Sequence, residues 1–269
     1  MSPAARGPRP TVDGLLLLDK PAGISSHDAV LRARRATGER RIGHGGTLDP
    51  FATGLLVLLL GRATRLLSWM PGEPKVYDAR IVFGRETDTD DLLGSTTREA
   101  PPPGDADVDT AIRTLTGSIS QVPPAFSAKR VDGKRAYAMA RAGEAVSLAP
   151  VPVVVHAWSF LERTTDTLDV RITCGGGTYI RALARDLGRL TGSAAHLTAL
   201  RRVASGPFDV SAATSVDALA DGAPVAPPLA ALPHLARVTL TDDEVRKAMR
   251  GLTVGTADAE PGTRAALVD

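Results

Sequence analysis

One cysteine, Cys174, is all the chain contains, so no intrachain disulfide can form and a reducing compartment is expected. Long apolar runs are missing too. The first, residues 15–18, is far too short for a signal-peptide core or a bilayer-crossing helix, so a cytoplasmic location with no membrane partner is expected. Lysine is scarce: only Lys20, Lys75, Lys129, Lys134 and Lys247 among 32 basic residues, which leaves 27 arginines. Arginine suits bidentate phosphate contacts, although a GC-rich genome would enrich it as well. The net charge of +2 neither demands nor excludes a polyanionic partner.

Motifs for bound groups are also absent. None of the five histidines pairs at metal-ligand spacing, and a lone cysteine cannot build a cysteine-based zinc site. The acidic run ETDTDD at 86–91 fails as a calcium loop, because Leu92 and Leu93 stand where a ligand and the turn glycine belong. Its carboxylates are expected to pair with arginine instead. No G-x-S-x-G elbow is present. The glycine run at 175–177 lacks both P-loop and dinucleotide-site spacing. No metal and no nucleotide cofactor is expected.

What the chain does have is GHGGTLDPFATG at 43–54, four glycines around an Asp-Pro turn, leading into the apolar run at 55–60. Proline pushes Asp49 out of helical conformation, and glycine lets backbone approach a partner closely. A carboxylate is thereby offered at the mouth of a buried strand. Around it, strands are predicted at 14–19, 55–60, 75–83 and 195–203, with a hairpin at 151–161 and 168–174 and an extended segment at 121–127. A helix capped by Ser25 or Ser26 should run to about Thr37 and end at Gly38. Further helices are predicted at 108–115, after the turn Asp132-Gly133 where one carries Tyr137, and from the glycine run to about Leu190. Residues 1–10 are expected to be a disordered tail and 212–233, rich in alanine and proline, a connection. A short strand and a helix with a Thr241–Glu244 capping box follow. Basic clusters stand at 32–41, 62–65, 129–135 and 201–202, each compatible with a solvated face or a phosphate-facing one. The residues permit an arginine-paired carboxylate but do not by themselves bring Asp49, Tyr77, Asp90 and Arg181 together.

Six blocks resemble the bacterial tRNA pseudouridine-55 synthases, the TruB family: GLLLLDKPAGISSHDAV at 14–30, GHGGTLDPFATGLL at 43–56, KVYDARIVFGRETDTDD at 75–91, QVPPAFSAKRVDGKRAYAMAR at 121–141, CGGGTYIRALARDLG at 174–188 and HLTALRRVASGPF at 196–208. The resemblance implies an α/β (α+β) catalytic domain on a mixed, largely antiparallel sheet over residues 11–232. It also implies a partial, PUA-like C-terminal segment at 233–269. Function would be isomerisation of uridine 55 in the tRNA T-loop, without cofactor, on a base flipped from its stack. The partner implied is the tRNA T-arm, and a monomer is expected. Asp49 would be the catalytic aspartate, Tyr77 the tyrosine stacking on the flipped base, and Arg181 the partner of Asp49, with Asp90 as its second acidic partner. His44 would support the everted nucleotides, and Leu200 and Tyr179 would line the substrate site. Lys20 and Arg65 match basic positions near the loop and the RNA backbone.

Overall fold

The computed structural model describes residues 12–127, 129–131, 134–135, 139, 148–255 and 264–268. The tail at 1–10, the turn Asp132-Gly133 and the helix around Tyr137 lie outside the described residues. In chain order the elements are β1 (Gly14–Lys20), α1 (Ser26–Thr37), β2 (Ile42–His44), β3 (Thr53–Leu60), β4 (Lys75–Phe83), β5 (Arg85–Thr87), β6 (Thr96–Glu99), α2 (Asp105–Thr114), β7 (Gly117–Gln121), β8 (Arg130–Val131) and β9 (Lys134–Arg135). There follow β10 (Val151–Arg163), β11 (Thr167–Cys174), α3 (Ile180–Leu190), β12 (Ala195–Ser205), β13 (Phe208–Asp209), β14 (Thr214–Ser215), β15 (Ala236–Thr239), α4 (Asp242–Met249) and β16 (Ala265–Val268).

One ten-stranded sheet organises the chain, in the order β14-β1-β3-β12-β4-β11-β10-β7, with β2 added to β3 and β13 to β12. Only the β14–β1 and β12–β3 pairings are parallel; every other pairing within it is antiparallel. The mixed, largely antiparallel sheet expected from the sequence is therefore present. β3 sits where its unbroken apolar run requires, since residues 55–60 are all buried. Leu56, Leu58 and Leu60 pack under α1, while Leu55, Val57 and Leu59 fill the opposite face. A strand covered on both faces has no polar alternation to show. α2 and α3 pack over the other half of the sheet, around Ile81, Val170, Ile172, Leu183 and Leu187.

Local signals account for α1: Ser25 and Asp28 form a capping box, and Gly38 closes the helix at φ 72°. α2 begins three residues before its predicted start, because Asp105 and Asp107 favour the positive end of the helix. The predicted extended segment at 121–127 keeps only Gln121 in a strand; residues 122–124 have no regular structure and the chain bends at 125–127. The stretch at 212–233 is no mere connection. It lays β14 along β1, pairs Ala226 with Leu15, and buries Val216, Leu219 and Ala231 against the sheet. Its prolines and short 3₁₀ turns deliver single apolar side chains, so no periodic pattern betrays the packing. β15 and β16 pair in parallel and α4 carries its capping box, but no α4 residue is buried.

Candidate active site

The loop at 45–52 leaves the sheet where the edge of β3 changes hands. β12 covers Thr53 and Gly54, β2 covers residues 58–60, and the strand between is met by other groups. Gly45 N–H donates to Val57 O at 2.9 Å, and Arg202 Nε donates to Leu55 O at 2.7 Å. Arg202 Nη2 also reaches Gly46 O at 3.0 Å, so one buried guanidinium staples the loop to β3. Gly54 has φ 98°, and a Cβ there would lie 2.2 Å from Arg202 O. Only glycine lets β12 approach this closely.

From the other side, Ser26 Oγ donates to Leu48 O (3.0 Å) and accepts from Leu48 N–H (2.8 Å). Lys20, fully buried at the end of β1, gives its ammonium to the carbonyls of Pro21 (2.9 Å), Ile24 (2.8 Å) and Pro50 (3.4 Å). Burial lowers the Lys20 ammonium to about 8, against the opposing pull of Asp49. The Asp-Pro turn is thus held by a serine, a lysine and an arginine from three elements.

Asp49 meets Arg181 in a two-point ion pair, Nε to Oδ2 at 2.9 Å and Nη2 to Oδ1 at 3.2 Å. The guanidinium is buried (5% exposed) whereas the Asp49 side chain is 35% exposed, so the acid is open to solvent and its counterion lies beneath. Arg181 is fixed further by Thr89 O (2.8 Å), Phe126 O (2.9 Å) and Asp91 Oδ2 (3.6 Å). Asp91 therefore takes the place expected of Asp90 as second acid. Asp90 points instead along α3 to Arg185, at 2.9 Å. Successive residues of a turn face different ways, and a run of two aspartates conceals which is which. The expected pairing of the 86–91 carboxylates with arginine holds for three of them, Glu86 with Arg189, Asp90 with Arg185 and Asp91 with Arg181.

Tyr77 is buried on β4, directly opposite Arg202 of β12. Burial raises its hydroxyl, and the charges of both Arg202 and Asp49 act on it. Tyr179 precedes α3, where Gln121 bonds its N–H (2.9 Å) and its carbonyl (3.1 Å). Burial raises its hydroxyl too, and Ser127, Arg181 and Asp49 lie within its field. His44 ends β2; burial, then Arg202, lowers its imidazole, against the opposing effect of the Gly46 backbone. Leu200 belongs to the buried cluster that also holds Leu48 and Tyr77. Arg65 stands apart, exposed on the 3₁₀ turn that follows the far end of β3.

The sequence alone does not single out Ser26, Asp91, Gln121, Arg185 or Arg202 as site residues. Arg201 and Arg202 read there as one basic cluster, yet Arg202 is interior and Arg201 pairs with Asp19 at 2.7 Å. The available signal is strand parity, since two adjacent arginines in a strand face opposite sides.

Residues 34–180 match the model of the TruB family pseudouridylate synthase (N terminal domain), and residues 181–226 that of the tRNA pseudouridylate synthase B C-terminal domain. The chain is 49% identical over 218 residues to "tRNA pseudouridine synthase B" of Thermobifida fusca (strain YX), covering 77% of this chain and 74% of that one. It is 50% identical over 214 residues to the protein of the same name from Nocardia farcinica (strain IFM 10152), covering 77% and 70%. Among solved structures, a chain of a Cbf5-Nop10-Gar1 complex superposes with a TM-score of 0.68 at 26% identity, over 94% of this chain and 74% of that one.

Proposed function

The chain belongs to the TruB family of pseudouridylate synthases, and from that premise we propose that it isomerises uridine 55 in the T-loop of tRNA to pseudouridine, with Asp49 as the reacting carboxylate. The observation that carries this reading is the asymmetry of the Asp49–Arg181 pair: a solvent-accessible carboxylate gripped at two points by a buried guanidinium. The reaction detaches uracil from ribose at N1 and rejoins it at C5, with no net redox change. A single fixed carboxylate suffices as the reactive group, where a conventional glycosidase uses a pair. The target uridine must leave its stack to be reached. Tyr77, on β4 opposite Arg202, is the residue that would offer it an aromatic face.

Residues 11–232 form the catalytic domain in this reading, and the segment from 233 is PUA-like. The protein acts as a cytoplasmic monomer on the T-arm. Lys20 holds the Asp49 turn, while His44, Tyr179 and Leu200 line the nucleotide site. Arg65 contacts backbone phosphate away from the reacting base.

The test is tritium release from tRNA transcripts carrying 5-tritiated uridine. Release by the intact protein and none by Asp49→Asn is expected; equal release from both would remove Asp49 from the reaction. Undiminished release from transcripts altered only at uridine 55 would mean a different target nucleotide.

A further inference from the structure

Arg181, Arg185 and Arg189 lie four residues apart and so share one face of α3. Arg185 touches none of the residues assigned to the substrate. Its Nη1 donates to Asp90 Oδ2 (2.9 Å), its Nη2 to Val122 O (2.8 Å), and its Nε to Asp186 Oδ1 (2.9 Å). One side chain therefore joins α3 to two separate walls, the 86–91 turn and the segment leaving β7. The same two walls supply Thr89 O and Phe126 O, the carbonyls that orient Arg181.

Asp90 is, among the described residues, the one non-glycine with a left-handed backbone, φ 59°. Such a conformation persists where its surroundings over-determine it. Here three groups do so: Asp90 N–H donates to Thr87 O (3.1 Å), Leu197 N–H donates to Asp90 O (3.1 Å), and Arg185 holds the carboxylate. Asp90 also stands between Thr89 and Asp91, both of which address Nη1 of Arg181. A rotation at Asp90 would move both of those groups at once.

We propose that the Arg185–Asp90 pair is a positioning device, which locks the turn in the one conformation that aims Arg181 at Asp49. The proposal rests on the reading of Asp49 as the reacting carboxylate. Stability alone gives little reason for the pair. Burial pushes the Asp90 carboxyl up to about 6, against the pull of Arg185, Arg181 and Arg189 and with the push of Glu86. A folded value above the ordinary 3.8 means that charging Asp90 costs the folded state, and stability falls as pH rises through about 4 to 6. Buried pairs of this kind commonly contribute little net stability.

The experiment is single-turnover tritium release with enzyme in excess over tRNA, reading rate constant, amplitude and tRNA affinity separately. Arg185→Met and Asp90→Ala should each slow the rate constant by about 10- to 100-fold, with affinity within about threefold and near-full amplitude. The double variant should lose no more than the worse single one, since both break the same device. Asp90→Asn keeps an acceptor for Arg185 and tolerates the left-handed backbone, and should recover most of the rate. Arg189→Met, one turn further along α3, should stay within about twofold of the intact protein. A full rate in Arg185→Met, a loss confined to amplitude, or additive losses in the double variant would overturn the positioning role. Full-rate Arg185→Met beside inactive Asp49→Asn sinks this proposal alone, whereas active Asp49→Asn sinks the reading beneath it.

Discussion

Two helices of this protein carry arginine in opposite ways. On α3, Arg181 and Arg185 are buried, and every guanidinium of the row meets at least one carboxylate of the acidic turn. On α1 and its exit, Arg32, Arg35, Arg40 and Arg41 are exposed, and among the described residues their one ion pair joins Arg32 to Asp217 at 3.9 Å. The interior arginines are charge-balanced and geometrically fixed, so they can orient a reacting group but attract no phosphate. Those on α1 keep their charge facing solvent, which suits a polyanion and fixes nothing. A single residue type thus serves as framework in one region and as electrostatic bait in the other. Arg202 extends the framework class with carbonyls in place of acids.

That contrast can be broken most severely at Arg181. Arg181→Met should cut single-turnover tritium release by about 10²- to 10³-fold, while tRNA affinity, read by filter binding, stays within a few-fold. A large affinity loss with a normal rate would move Arg181 into the bait class. Next comes Arg202→Met, which strips Leu55 and Gly46 of a buried donor. Urea unfolding should show a stability loss of about 3 kcal/mol, the cost of two buried carbonyls left short of bonds.

Lys20 sharpens the comparison, being an interior cation bonded to carbonyls alone. Its folded value of about 8 lies below the ordinary 10.5, so the folded protein releases this proton first. Stability from this group therefore rises between about pH 8 and 10.5 and is flat below. The advantage of the intact protein over Lys20→Met, by urea unfolding, should widen by about 2 kcal/mol from pH 7.5 to 10. The smallest effect belongs to α1. Replacing Arg32, Arg35, Arg40 and Arg41 by glutamine should weaken tRNA binding by about tenfold near physiological salt. The salt dependence should flatten by about one unit for each phosphate no longer neutralised. The rate at saturating enzyme should hold within about twofold.

Much of this is legible in the sequence. β4 begins and ends where its pattern predicts, α1 has both predicted caps, and the apolar run of β3 marks the centre of the sheet. The family blocks point to Asp49 and Arg181 together, and the fold joins them. What escapes are features that depend on direction rather than identity. Asp90 and Asp91 are chemically alike, and only the left-handed turn decides which faces Arg181. Arg202 looks like half of a basic pair until the pleat of β12 turns it inward. The residues after 212 pack through isolated side chains at proline-rich turns, which leave no period to detect.

The stapling of the loop by β12 also sets an order of events in time. Asp49 waits for a partner 132 residues further along the chain, and Leu55 for one 147 residues away. During synthesis, at about 5–20 residues per second, the aspartate turn emerges many seconds before either guanidinium exists. Pairings this distant in sequence are slow to close, because loop entropy must be overcome before any contact rewards it. β1, β2 and β3 can pair early, but β12 enters the sheet only after β4 and β11 have been made. The reactive carboxylate is therefore completed near the end of folding, and a nascent chain that has reached β3 presents the motif without the chemistry.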